Sequence, residues 1–262
     1  MQAQRLLAIH GWYWLRDGFM LWRKNAAFLS FLIFAYLLVL LVATALPTIG
    51  QVVCQLMLPA LSVGVLDGCR LTDEKNKPVI EEIPPALFRY FRRGPRLIAL
   101  MLVGVINLVA GMLILQGSTL IDGGLFRGVL SNTIEFTPTI AETPSFQLAV
   151  LVSFALLCVV QMAYWFAPAL AGWWNISAPK AMFFSLLSVV RNWRAFLMYS
   201  LALTVFGMIV PALVIGIVQV IVTGLASLLL LLYLMIAIPV LIASLYFSIR
   251  SIFGLPDQPP TP

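Results

Sequence analysis

The chain alternates between long uncharged stretches and short basic segments. No charged residue stands between Lys24 and Asp67, and the 55 residues between Arg194 and Arg250 are also free of charge. A helix on a soluble protein keeps a polar face for water; these runs keep none. A helix crosses ~30 Å of hydrocarbon with about 20 apolar residues. Six segments fit that length: 26–46, 51–69, 97–117, 147–172, 195–217 and 225–249. The predicted fold is all-α, a polytopic membrane helix bundle forming one transmembrane domain over residues 1–262. Its six transmembrane helices are expected to pair as three hairpins, accompanied by interfacial amphipathic helices.

Turn residues separate several of these runs. Pro47, Thr48, Ile49 and Gly50 make a tight turn after the first, Gly94 and Pro95 open the third, and Thr223 with Gly224 divides the last two. Proline suits the first turn of a helix, where its missing N–H has no partner to lose. Pro59, Pro168, Pro211 and Pro239 fall inside runs, where neighbouring helices can satisfy the freed carbonyls. Residues 118–146 read as a periplasmic loop, and 255–262 as a short disordered tail.

Charge sets the expected orientation. With the N-terminus in the cytoplasm, 15 of the 16 Lys and Arg residues lie on the cytoplasmic side, leaving only Arg127 outside. That is the positive-inside pattern. It predicts a multi-pass protein of the bacterial inner membrane with both termini cytoplasmic. The first 24 residues carry too many charges for a cleavable signal, so the first span is expected to remain as an anchor.

Each hairpin follows an aromatic, basic stretch: WYWLRDGFMLWRKN, ALFRYFRRGPR and AMFFSLLSVVRNWR. On a helical wheel Arg5, Arg16 and Arg23 share one face and Leu7, Trp14 and Leu21 the other. Arg89, Arg92, Arg93 and Arg96 are spaced i, i+3, i+4 and i+7, opposite Leu87 and Phe91. Helices of this kind lie in the interface with arginines toward anionic headgroups. Arg89, Arg92, Arg93 and Arg96 are therefore the candidate contacts for anionic lipid or a partner, with Trp12, Trp14 and Trp22 as interfacial anchors.

Few residues suit catalysis. Hydrophobic residues make up 62% of the chain and charged ones 10%, and the single histidine, His10, has no second histidine to pair with. No nucleophile elbow, zinc-protease motif or phosphate loop occurs. Cys54, Cys69 and Cys158 read as small buried hydrophobes. Asp67, at a span end, is expected to pair with Arg70 three residues on. Metals and cofactors are not expected, nor is a nucleic-acid partner. Gln55, Asn107, Gln116, Ser153, Gln161, Ser185 and Gln219 should glue the bundle. Asn107, Gln161 and Tyr164 are the candidate lining of a polar cavity. Gly64 and Gly68 allow close packing of the second span.

Four blocks carry a resemblance: RLLAIHGWYWLRDGFMLWRKN, LPALSVGVLDGCR, MAYWFAPALAGW and RNWRAFLMY. Together they resemble an uncharacterised family of proteobacterial six-helix inner-membrane proteins named only from a locus tag, over residues 4 to about 250. The resemblance implies location and topology; it implies no activity and no functional residues. The expected function is non-enzymatic, acting through anionic lipid headgroups on the cytoplasmic face, a membrane-protein partner or a second copy. The alternative is a permease or lipid-handling transporter for a neutral or amphipathic substrate.

Overall fold

The computed structural model describes residues 4–45, 49–75, 78–92 and 94–256. Among them the regular elements are helices. α1 (His10–Lys24) precedes α2 (Ala26–Thr44) and α3 (Gly50–Lys75). α4 (Ile83–Leu87) and a short 3-10 turn, Arg89–Arg92, lead into α5 (Gly94–Asp122). Two small helices, α6 (Leu125–Leu130) and α7 (Pro138–Ala141), precede α8 (Pro144–Trp165) and α9 (Ala167–Trp174). α10 (Ala178–Arg191), α11 (Trp193–Ala202), a π-helical stretch Leu203–Ile209, α12 (Val210–Ile221) and α13 (Thr223–Phe253) complete the fold. Among the described residues, six spans are long and apolar enough to cross a membrane: α2, α3, α5, Pro144–Trp174, Trp193–Val220 and Gly224–Phe253.

α3 is the central span. More than half of its most apolar window is buried, against 6–28% in the other five. It packs on α2, α5, α9 and α4. Gly64 lies against the backbone of Ala86 and Leu87, where a side chain would collide, and Gly68 against the Leu32 side chain. The two glycines thus serve different neighbours. Pro59 removes the N–H that would take the Gln55 carbonyl. Gly104 of α5 packs directly on that carbonyl.

The ends of the spans move outward from their expected positions. α3 runs on to Lys75 because Arg70, Asp73 and Glu74 find partners there. α5 continues to Asp122, whose carboxylate accepts from Gly124 N and Phe126 N and so starts α6. The expected loop contains two short helices: α6 and α7 fold against the end of α8, and Phe126 and Phe136 both pack on Phe146. Leu255 is buried, so the chain stays packed past the expected start of the tail; residues 257–262 lie outside the described residues.

The fourth span is broken at Phe166, between α8 and α9. Ser185 of α10 closes the break. Its hydroxyl accepts from Phe166 N and donates to Met162 O, both at 2.9 Å, and so bridges the donor and acceptor of the one bond an unbroken helix would make there.

α1 docks on protein rather than lying freely on the bilayer. Its buried face is Gly11, Trp14, Gly18 and Leu21. A Cβ on Gly11 would sit 2.1 Å from the Ala195 carbonyl oxygen, and one on Gly18 2.7 Å from Ser244 N. α1 therefore lies in the crease between α11 and α13, beneath which Tyr199 and Ser244 share a hydrogen bond of 2.6 Å. Gln4 N donates to Ile252 O at 2.9 Å, so both ends of the described chain lie on one face. Asn192 holds the same segment, accepting from Leu6 N and donating to Gln4 O.

Candidate functional site

The ends of α3, α5, α9 and α13, with α1 and the Arg89–Arg92 turn, form a basic face of the bundle. Two carboxylates of α3 organise it. Asp67 is 4% exposed. Its Oδ1 accepts from the indole Nε1 of Trp173 at 2.8 Å, and its Oδ2 from Arg89 Nη1 at 3.0 Å. Asp73, six residues on, accepts from Tyr246 Oη at 3.0 Å and from Arg250 Nη1, with Lys24 Nζ at 3.5 Å from its other oxygen. Asp67 thus ties α3 to α9 and to the segment before α5, and Asp73 ties it to α1 and α13. A buried carboxylate is tolerated only when paired and hydrogen-bonded, as Asp67 is; the partly buried Asp73 is paired in the same way.

Around Asp67 opens a polar pocket of about 420 Å³, lined by Arg70, Glu74, Arg89, Tyr90, Arg96 and Trp173. Three arginines face two carboxylates there, so the lining carries excess positive charge. Arg70 bonds Glu74 four residues on, at 2.8 Å. The hydrogen bond to Asp67, then its charge, holds the Arg89 guanidinium above its ordinary range, so it stays cationic. Burial, followed by the nearby Asp67 charge, pushes the Tyr90 phenol upward and keeps it neutral. The pocket therefore offers cationic donors, a neutral phenol and an indole edge, which suits a bound anion.

Several expected site residues sit elsewhere. Arg89 and Arg96 do meet at one pocket, but not as one amphipathic helix. The segment breaks into α4, a 3-10 turn and the start of α5, because Gly94 and Pro95 begin a new helix. Arg93 and the side chain of Arg92 lie outside the described residues. Asp67 pairs with Arg89 and Trp173, and Arg70 with Glu74, so the expected Asp67–Arg70 pair is replaced. Of the two distant partners, Trp173 meets Asp67 inside the bundle and Arg89 meets it from the half-exposed side.

The tryptophans divide. Trp14 is no interfacial anchor: it is 2% exposed, packs on Phe196 and Tyr199, and donates to Ser251 Oγ at 2.8 Å. Trp12 packs on Phe206, and Trp22 donates to Ser30 Oγ at 3.1 Å. Gln161 is exposed on the outside of the bundle, as are Gln116 and Gln219. Asn107 Oδ1 and Tyr164 Oη are buried without a hydrogen-bond partner among the described residues. The residues missed were Trp173, Asp73, Tyr246 and Asn192. Trp173 and Tyr246 stand among apolar neighbours, Asp73 and Asn192 beside charged ones, and only the pairing of distant helix ends shows which groups their polar atoms meet.

With this geometry in hand, one comparison is decisive. Over 204 residues the chain is 33% identical to a Burkholderia thailandensis protein named "Probable inner membrane protein", covering 77% of this chain and 74% of that one. The chain belongs to that protein's family. It is a multi-pass membrane protein, as the six spans require. No family model matches, and no solved structure matches.

Proposed function

We propose that this inner-membrane protein works by holding anionic lipid headgroups at its basic face, which is turned to the cytoplasm, and that it carries out no reaction of its own. The observation behind this reading is the Asp67 pocket, where Arg70, Arg89 and Arg96 converge around one buried carboxylate. The pairing of Asp67 with Arg89 and of Asp73 with Arg250 supports a structural use of these charges rather than acid–base chemistry. An anionic headgroup at Arg96 would join the ends of α3, α5 and α9 through its phosphate oxygens. The protein would then act as a lipid-dependent scaffold.

The test is native mass spectrometry of protein released from mixed phosphatidylglycerol and phosphatidylcholine. A cation near the membrane surface contributes about 1 kcal/mol to anionic-lipid binding, so Arg96→Ala should lower retained phosphatidylglycerol roughly fivefold. Arg127, which bonds Gln116 on the opposite face, is the control: Arg127→Ala should change nothing. Equal losses from both variants would refute the proposal.

A further inference from the structure

A second cavity, of about 590 Å³, lies between α1, the π-helical stretch and α13. It is separate from the Asp67 pocket, with which it shares no lining residue. Its walls are apolar: Trp12 and Phe19 from α1, Phe206 and Met208 from the π stretch, Ile236 and Val240 from α13. Arg16 is the one charged residue in its lining, and the cavity is open on one side. The volume falls within the ~300–1,000 Å³ of small-molecule sites.

The fold builds this space deliberately. Pro211 has no N–H for the Gly207 carbonyl one turn back. The Tyr233 hydroxyl donates to that carbonyl instead, at 2.5 Å, and so secures the π stretch to α13. π turns inside helices are frequent at functional sites. On the other side, Gly18 seats α1 against Val240 and Ser244. Ser244 lies six residues before Arg250, about 9 Å along the helix. Arg250 joins the ion pairs of the basic face, so α1 and Arg16 sit near the boundary of headgroups and acyl chains.

Arg16 is suited to an anion at that depth. Its guanidinium lies 4.7 Å from the centre of the Tyr13 ring and bonds Asp17 at 2.8 Å. That ion pair is solvent-accessible on both sides, and such pairs contribute little. A guanidinium also has five donors, which leaves room for a phosphate beside Asp17.

We propose that this cavity holds one acyl chain of an anionic phospholipid from the leaflet at the basic face, with the lipid's phosphate on Arg16. An apolar slot of this volume capped by a single cation at headgroup depth selects this ligand over a neutral one. The π stretch and α1 form the slot together, so the bound lipid would brace α1 against the third hairpin.

The experiment uses the full chain in nanodiscs containing phosphatidylglycerol with a photoactivatable diazirine on one acyl chain. Crosslinks should concentrate in peptides of α1, residues 203–209 and α13. Ala237→Trp, which fills the cavity, should abolish them there. Leu213→Trp, on the exposed surface of α12, should leave them intact, and Ala237→Leu provides a milder filling variant if the tryptophan misfolds. Arg16→Ala should reduce labelling by the phosphatidylglycerol probe roughly fivefold while leaving a phosphatidylcholine probe unchanged. Arg96→Ala should not alter the cavity's labelling, so failure at either site is read separately. Labelling spread evenly over the exposed spans, or insensitive to both Ala237 variants, would mean annular lipid only and would overturn the inference.

Discussion

Ser185 shows how one side chain can stand in for a missing backbone bond. Its hydroxyl satisfies Met162 O and Phe166 N together. Ser185→Ala leaves both groups unpaired and should cost about 1–3 kcal/mol. Thr44→Ala should cost little, because that hydroxyl is exposed and bonds only its own helix. Thermal unfolding in mild detergent measures the difference, and equal transitions would contradict this role. Asp67 works in the same way with a charge. Arg89→Ala removes its cationic partner, but Arg89 is half exposed and water in the pocket can take part of its place. The expected cost is about 1–3 kcal/mol. Arg89→Ala combined with Asp67→Asn should recover much of it, since a neutral amide no longer needs the cation. A double variant less stable than Arg89→Ala alone would contradict the pairing.

At the scale of elements, α1 departs furthest from expectation. Its sequence has the amphipathic pattern of an interfacial helix, and the face carrying Trp14 and Leu21 is indeed its apolar one. That pattern does not say what covers the apolar face. In the structure the cover is α11 and α13, and Gly11 and Gly18 are the contact points. Gly18→Leu would place a side chain into the α13 backbone. Overpacking of this kind costs about 1–3 kcal/mol. Amide exchange across residues 10–24 should therefore speed up about ten- to a hundredfold. Gly216 has open space around it, so Gly216→Leu should leave exchange in α1 unchanged. Unaltered exchange in the Gly18 variant would mean α1 is held by lipid rather than by protein.

For the whole molecule, two statements are tested together by topology mapping. A phosphatase reporter that works only outside the cytoplasm should be inactive after Pro262 and active when inserted near Asn132. The reverse pattern would invert the proposed orientation. The number and order of spans needed no structure, because hydrocarbon admits only long uncharged helices, and that requirement is written residue by residue. Arg89 and Arg96 were also legible as candidates, since basic residues beside a span mark its headgroup end. Their shared pocket was not. It depends on α3 presenting Asp67 toward Trp173, which lies 106 positions away in the chain.

Local composition thus determined which stretches are solvated by lipid, since the cost of a charge in hydrocarbon acts on every residue separately. Tertiary structure decided which neighbour each helix meets. Apolar spans are nearly interchangeable in lipid, and partner choice rests on close contacts at Gly11, Gly18 and Gly64 and on the few polar atoms of Asp67, Asp73, Ser185 and Asn192. Those contacts join positions far apart in the chain, and no local pattern encodes the distance between them.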